Sequence, residues 1–383
     1  MGERRFLNGN QAVAYAIKYI QPEVIAAYPV TPQSPIIERI SQFVAGGELD
    51  ADFIRVESEH AALSACYGAA CAGCRVFTAT SSQGLAYMAE MLPYVSGSRF
   101  PVVMAVVNRA MAAPWTIWGD QQDAISMRDT GWIQLFVENA QEVFDTCLQA
   151  FRLAEDPEVL TPVMVNLDGF VLSHTDELVE LPSPQEVSAY LPPYRAPYAV
   201  DFDSPATFCI GASPDIFISY KYQQQVAMDN ALQKIPLLAG EFARRFGRDH
   251  GGLLKQYSCE DAEYILVTMG SFTGTARAVA EKLRAAGRKV GVLKVRSFRP
   301  FPLKEVAAAL QHARAIGVLD RNFSHGNQGA LFTEIKAALF ESERRPRAVN
   351  FIAGLGGRDI RPDEFEAMFD KLEAAASSPG SVK

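Results

Sequence analysis

Four short segments carry residue types that suit chemistry at the end of a buried strand. Thr31 stands in YPVTPQSP, Glu57 and Glu59 in RVESEHAA, Ser81 to Gln83 in TATSSQG, and Asn108 with Arg109 in VVNRAMAAP. In TPQSP a proline follows Thr31 and another follows Ser34. A helix opening there presents free backbone amides, a setting that favours anions; equally, Thr31 or Ser34 serves only as a helix cap. Glu59 heads a stretch rich in small residues, where a carboxylate stabilises orphan amides through the helix dipole. It gains a catalytic task only beside a group whose protonation it controls. Arg109 leaves the apolar run PVVMAVV, and its fork of donors suits a carboxylate ligand. The competing expectation is an internal salt bridge to Asp120 or Asp123 in WGDQQD.

The elements that must position these residues alternate from the start of the chain. QAVAYAIKYI, SPIIERISQFVAG, HAALSACYGAACAGC, LAYMAEMLPYVSG and QEVFDTCLQAFRLAED predict helices, and EVIAAYPV, RVFTATSS, PVVMAVVN and PVMVNLDGF predict strands, with a long polar and aromatic loop after Asn108. Buried apolar strands between helices imply an α/β fold with a parallel sheet covered on both faces. In such sheets ligands bind beyond the carboxyl ends of the strands, where the four segments fall. From about 175 to 255 closely spaced prolines predict an extended arm, then a helix over YKYQQQVAMDNALQKIPLLAGEFARRFG. A fresh α/β series follows, from AEYILVTMG through KVGVLKVRSF, read as one strand, to AVNFIAGLGG. The expected division is residues 1–255 and residues 256–383. The tail AAASSPGSVK is expected to fray.

The formal charge of −8 over 383 residues leaves no basic surplus for nucleic acid or an anionic membrane. No apolar run reaches the ~20 residues of a membrane span, and MGERRFLNGNQ lacks the apolar core of a signal peptide, so a cytoplasmic protein with reduced thiols is expected. Three features invite other readings. Cys66, Cys71 and Cys74 have the spacing of an iron-sulfur motif, but they lie in a predicted helix where cysteine packs as a small hydrophobe. MGSFTGTARAVAEK either cradles a phosphate, as in a flavin- or nucleotide-binding electron carrier, or is a plain strand-to-helix turn. Cys147 and His174 are a nucleophile and a base with nothing to hold them together.

Taken in order, YPVTPQSP, VESEHAALSACYGAACAG, TATSSQGLAYMAE, NRAMAAP, GDQQD, RDTGWIQLF, VMVNLDGF, SFRPFP and VLDR resemble the alpha subunit of the multi-subunit pyruvate:ferredoxin oxidoreductases and other 2-oxoacid:acceptor oxidoreductases. The resemblance implies a domain like the pyrimidine-binding domain of thiamine diphosphate enzymes, followed by one like the transketolase C-terminal domain. It implies CoA-dependent oxidative decarboxylation of a 2-oxoacid, with pyruvate the commonest substrate. Glu59 would bond the aminopyrimidine ring and favour the tautomer that removes the thiazolium proton, with Ser82 bordering the cofactor. Thr31 and Arg109 would bind the substrate carboxylate, and Asp120 would help order the Arg109 loop.

The diphosphate and its magnesium would belong to a beta subunit, because no GDG followed by Asn at the needed distance occurs in this chain. Iron-sulfur clusters would sit only on beta-, gamma- and delta-type partners in a dimer of heteromers, passing electrons to ferredoxin or a similar acceptor. The second domain would make subunit contacts and close the site near the coenzyme A path. Relatives specific for oxalate carry arginine at the position of Thr31. An aliphatic residue is expected where Trp115 stands, and its surface either narrows a pocket for pyruvate or lines one for an aromatic 2-oxoacid such as phenylglyoxylate. A non-catalytic scaffold that keeps the fold is the alternative of another class.

Overall fold

The computed structural model describes residues 2–205 and 207–377. Its centre is set by two strands, Val103–Asn108 and Val163–Asp168, in which every residue is buried. Runs such as VMAVVN and VMVNLD, rich in β-branched residues and apolar on both faces, fit strands covered on both sides. They pair in parallel within a seven-stranded sheet. Its order is Ser297–Arg299, Ile133–Phe136, Val163–Asp168, Val103–Asn108, Val76–Thr80, Val24–Ala27 and Asp52–Arg55. All neighbours are parallel except Ser297–Arg299 against Ile133–Phe136. Helices Gly9–Ile20 and Ala140–Ala154 bury one face together with Ser34–Ala45, while Glu59–Cys71 and Met91–Gly97 lie on the other.

Because the strands run parallel, Ala27, Thr80, Asn108 and Asp168 end at one edge, which gathers the segments after them. The first helix is fixed by a reciprocal cap: Asn8 Oδ1 accepts from the Gln11 amide at 3.0 Å, and Gln11 Oε1 accepts from the Asn8 amide at 3.2 Å.

A second sheet has the order Arg347–Ile352, Ala315–Asp320, Tyr264–Thr268, Val290–Val295 and Leu254–Tyr257, the last antiparallel. The predicted single strand KVGVLKVRSF is divided between the sheets: Val290–Val295 stays in the second and Ser297–Arg299 crosses to the edge of the first. The break falls at Arg296. Its buried guanidinium donates from Nε to Glu142 at 3.0 Å, from Nη1 to the Gly252 carbonyl at 3.0 Å and from Nη2 to Thr146 at 2.8 Å. Long-range bonds of this kind leave no trace in local periodicity.

The structure departs from the sequence expectations elsewhere as well. The loop after Asn108 contains the strand Ile133–Phe136, next to Trp132, whose buried indole donates to the Leu92 carbonyl at 2.9 Å. The charged N-terminus forms the strand Glu3–Leu7, antiparallel to Glu177–Leu181, with Arg4 opposite Glu180 and ion-paired to it. The expected arm therefore begins with a strand and a short helix, Pro184–Tyr190, and among the described residues only 191–205 and 207–213 lack regular structure before the helix Pro214–Phe246. Of the tail expected to fray, residues 374–377 complete the helix Pro362–Ser377, and residues 378–383 lie outside the described residues.

The two sheets are joined by a buried charge cluster as well as by the crossing strand. Lys294 Nζ, on the second sheet, lies 3.0 Å from Glu138 and 2.5 Å from Glu142 of the first domain. Burial alone would raise the Glu142 carboxyl, but Lys294, His250 and Arg296 carry it down to about 2 from an ordinary 4.5. The ionised form therefore contributes stability above about pH 4.5, and the contribution is lost as pH falls toward 2. Replacing Glu142 by Gln leaves Lys294 and Arg296 undercompensated and should cost about 3–5 kcal/mol at pH 7. Urea midpoints measured from pH 7 down to pH 3 should show the gap to wild type narrowing once pH drops below about 4.5; a constant gap would contradict the assignment.

Candidate active site

Arg109 stands one residue beyond the strand Val103–Asn108 and is 7% exposed. Its guanidinium donates from Nη1 to the Thr31 carbonyl at 2.8 Å, from Nε to the Thr116 carbonyl at 3.1 Å and from Nη2 to Gln83 Oε1 at 3.2 Å. Among the described residues no carboxylate pairs with it, so the expected salt bridge to Asp120 or Asp123 is not formed. Burial pulls its pKa below the ordinary arginine value. A buried cation held by neutral oxygens alone is costly and remains receptive to an anion.

Thr31 is exposed and its segment is anchored from two sides: Asn10 donates to the Pro32 carbonyl at 2.9 Å, and Gln33 Nε2 to the Ala79 carbonyl at 3.0 Å. The following helix has Gln33 as its N-cap and no side-chain cap, so neither Thr31 nor Ser34 is spent on capping. Trp115 is 73% exposed, with its ring centre 6.0 Å from Arg109 Cζ.

Glu59 opens the helix Glu59–Cys71, and the capping bond is made by Ser58, whose Oγ accepts from the Ala61 amide at 3.1 Å. Glu57 faces solvent, whereas Glu59 is buried and its carboxylate has no hydrogen-bond or ion-pair partner among the described residues. That carboxylate lies against Gly84, where an added Cβ would come within 2.7 Å of Glu59 Oε1 and 2.5 Å of Thr80 Oγ1. Thr80 Oγ1 and Ser81 Oγ are buried hydroxyls without partners. A free carboxylate beside unspent hydroxyls and a missing Cβ suits the nitrogen edge of a flat heterocycle. Ser82, fully buried, donates to the Ala110 carbonyl at 2.7 Å and thereby joins the Glu59 and Arg109 regions.

Arg109 is thus bonded directly to Thr31 and shares Gln83 Oε1 with Ser82, while Glu59 lies against Gly84 of the same segment. Asp120 stands apart, accepting from the amides of Gln122 at 3.0 Å and Gly356 at 3.2 Å, which ties the loop's far end to the second domain. The carboxylate bonded to Arg109 is Asp123, through the backbone amide at 2.9 Å. Burial pushes Asp123 up to about 7 against four donors that favour its charge. Sequence reasoning named Asp123 only as a possible salt-bridge partner of Arg109 and Gln83 only as a strand-end residue, and gave neither a positioning role. The density of acids and amides in WGDQQD was the available signal.

It also passed over Asp168, the last residue of its strand. Asp168 Oδ2 accepts from the amide and hydroxyl of Ser271 at 2.7 and 2.6 Å, and Oδ1 pairs with Arg321 at 2.6 Å. Gly270, at φ +78°, permits the approach, since a Cβ there would lie 2.6 Å from Asp168 Oδ2. The helix start in MGSFTGTAR, weighed as a phosphate cradle, is therefore occupied by a carboxylate of the same chain. Cys66 points into the core with its thiol pushed up to about 12 by burial, and Cys147 is buried likewise. His174 stacks on Phe170. Among the described residues no group of three or more His, Cys, Asp or Glu side chains could hold a metal ion, and no helix is long and apolar enough to cross a membrane.

With this geometry in place, the comparisons with known proteins agree on one class. Residues 15–238 match the thiamine-diphosphate-binding domain of pyruvate flavodoxin/ferredoxin oxidoreductases, and residues 262–365 match core domain II of pyruvate:ferredoxin oxidoreductase. The chain belongs to that family and is an alpha-type subunit of a 2-oxoacid:ferredoxin oxidoreductase.

It is 48% identical to pyruvate synthase subunit PorA of Methanothermobacter thermautotrophicus, over 96% of this chain and 95% of the relative. It is 45% identical to ketoisovalerate oxidoreductase subunit VorA of Pyrococcus abyssi, over 98% and 95%. Among solved structures, 2-oxoglutarate:ferredoxin oxidoreductase from Magnetococcus marinus superposes with a TM-score of 0.76 at 20% identity, covering 98% of this chain and 66% of that longer one. A split-gene transketolase superposes at 0.57 and 13% identity, over 97% and 99%. At those identities the two structures establish the fold: a parallel-sheet domain followed by a transketolase-like one.

Gly84 supplies a direct check on the Glu59 environment. Gly84→Ala should displace the Glu59 carboxylate and lower turnover of the assembled enzyme by about 100-fold, while the thermal midpoint shifts by only a few degrees. Full turnover in that variant would show that Glu59 has room to spare.

Proposed function

We propose that the chain provides the substrate-carboxylate site and the cofactor-activating carboxylate for CoA-dependent oxidative decarboxylation of a 2-oxoacid. The observation that carries this reading is the buried Arg109 guanidinium, held by neutral oxygens and bonded to the Thr31 carbonyl. A 2-oxoacid carboxylate entering there would supply the missing charge, with Arg109 giving a charged fork and Thr31 a neutral hydroxyl. Glu59, with Ser82 nearby, would bond the aminopyrimidine edge of thiamine diphosphate and control the proton on its ring nitrogen. The cofactor, when bound, supplies the carbon nucleophile and electron sink that the side chains of this chain lack.

Magnesium and the diphosphate are assigned to a beta-type partner, and the iron-sulfur clusters to beta-, gamma- and delta-type partners that lead to ferredoxin in a cytoplasmic dimer of heteromers. Residues 1–255 would form the catalytic half. Residues 256–383 would serve subunit contact and closure toward coenzyme A.

Pyruvate is the favoured substrate. A bulkier 2-oxoacid is kept as a second reading because Trp115, exposed beside Arg109, could line a wider pocket. A panel of pyruvate, 2-oxoisovalerate, 2-oxoglutarate and phenylglyoxylate, assayed on the whole complex with CoA and a viologen dye, should give the highest kcat/KM for pyruvate. A preference for phenylglyoxylate would transfer the assignment to the second reading. Arg109→Met should raise the KM for the preferred acid by about 10- to 100-fold, the loss of one charge-assisted contact. An unchanged KM would remove Arg109 from the substrate site.

A further inference from the structure

Asp123 lies in the short helix Gln122–Ser126, beneath the loop that follows Arg109, and is fully buried. Its Oδ2 accepts from the backbone amides of Ser82 at 3.0 Å and Arg109 at 2.9 Å. Its Oδ1 accepts from Asn108 Nδ2 at 2.9 Å and from the Ala124 amide at 2.8 Å. All four partners are donors, so the position calls for a group that only accepts.

The two amides on Oδ2 belong to residues just beyond the adjacent parallel strands Val76–Thr80 and Val103–Asn108. Ser82 has φ +49°, in the left-handed region that a residue with a Cβ seldom adopts, and Gln83, which follows it, accepts from Arg109 Nη2. One carboxylate oxygen therefore joins the Arg109 backbone to Ser82 and closes the path that returns through Gln83 to the Arg109 guanidinium.

We infer that Asp123 is a positioning residue for the 2-oxoacid carboxylate, holding Arg109 and Gln83 in one geometry by clamping the amides of Arg109 and Ser82. The inference rests on the reading of Arg109 as the carboxylate ligand. In Asp123→Asn one oxygen still serves Asn108 and Ala124, but an NH2 group then faces two N–H donors. The clamp is lost while the side-chain volume is kept. The Arg109 guanidinium then has more than one arrangement, and the substrate carboxylate must select the productive one.

The test is a double-mutant cycle in the assembled complex with Asp123→Asn, Arg109→Met and the pair. Asp123→Asn should raise the KM for the 2-oxoacid by about 10-fold or more, with kcat within about 3-fold of wild type and the KM for CoA unchanged. Added to Arg109→Met, it should produce no further rise in KM, because the group it positions is gone. The inference is overturned if KM stays within about 2-fold in the single variant, if kcat and the KM for CoA suffer as much as the 2-oxoacid KM, or if the two effects multiply. Should the Asn variant fail to assemble, Asp123→Ser, which keeps an acceptor in a smaller side chain, is read by the same criteria. An Arg109→Met variant with normal KM would overturn the carboxylate-ligand reading itself, whereas a raised KM there beside a normal one in Asp123→Asn would remove only the role given to Asp123.

Discussion

The ion pair between Asp168 and Arg321 joins the carboxyl ends of the strands of the two sheets. Both side chains are almost wholly buried, 2.6 Å apart, and each comes from the carboxyl end of a parallel strand, one in each sheet. A buried pair of this kind contributes little net stability after desolvation, but it penalises any arrangement that separates its members. It turns the ligand-binding edge of the second sheet onto the first domain and fills it: Asp168 takes the helix start at Ser271, Arg321 lies over the Phe272 ring, and the Gly357 amide donates to the Gly119 carbonyl at 2.7 Å. In the crevice of the first sheet, by contrast, Arg109 and Glu59 have no ion-pair partner among the described residues.

Two groups there explain the character of the site. Arg109 is a buried cation bonded to neutral oxygens, and Glu59 is a largely buried carboxylate without a partner among the described residues, so neither charge is matched within the fold. Folding alone would have favoured pairing them or moving them to the surface. Their persistence fits the proposed crevice, in which the remaining bonds would come from a 2-oxoacid and from the ring of a cofactor. The neighbouring network is correspondingly stiff: Asp123, Gln83 and Ser82 use their polar atoms on the backbone and on Arg109, and Gly84 keeps the space beside Glu59 open.

Much of this was legible in the sequence because parallel sheets advertise themselves. Runs such as VMAVVN and VMVNLD are predominantly apolar, and the rule that ligands gather beyond strand ends brought Thr31, Glu59, Ser82 and Arg109 forward from the sequence alone. The same rule, applied to Asp168, would have reached the interdomain pair, but a strand-end acid that serves an internal helix resembles one that serves a ligand until its partner is known. The roles of Asp123 and Arg296 were hidden for a related reason. Both are charged residues whose burial is created by groups distant in sequence. The strand pair Glu3–Leu7 and Glu177–Leu181 escaped because each member is short and charged, and only the pairing of Arg4 with Glu180 across the two makes sense of either.

In its proposed role, Glu59 has no partner among the described residues because it would bond the cofactor ring. The most direct measurement is the exchange rate of the thiazolium C2 proton of thiamine diphosphate bound to the assembled complex, followed by quenched flow into deuterated buffer and NMR. With Glu59→Gln the account predicts exchange slowed by about 100-fold or more at unchanged cofactor stoichiometry. Exchange at the wild-type rate in that variant would contradict it.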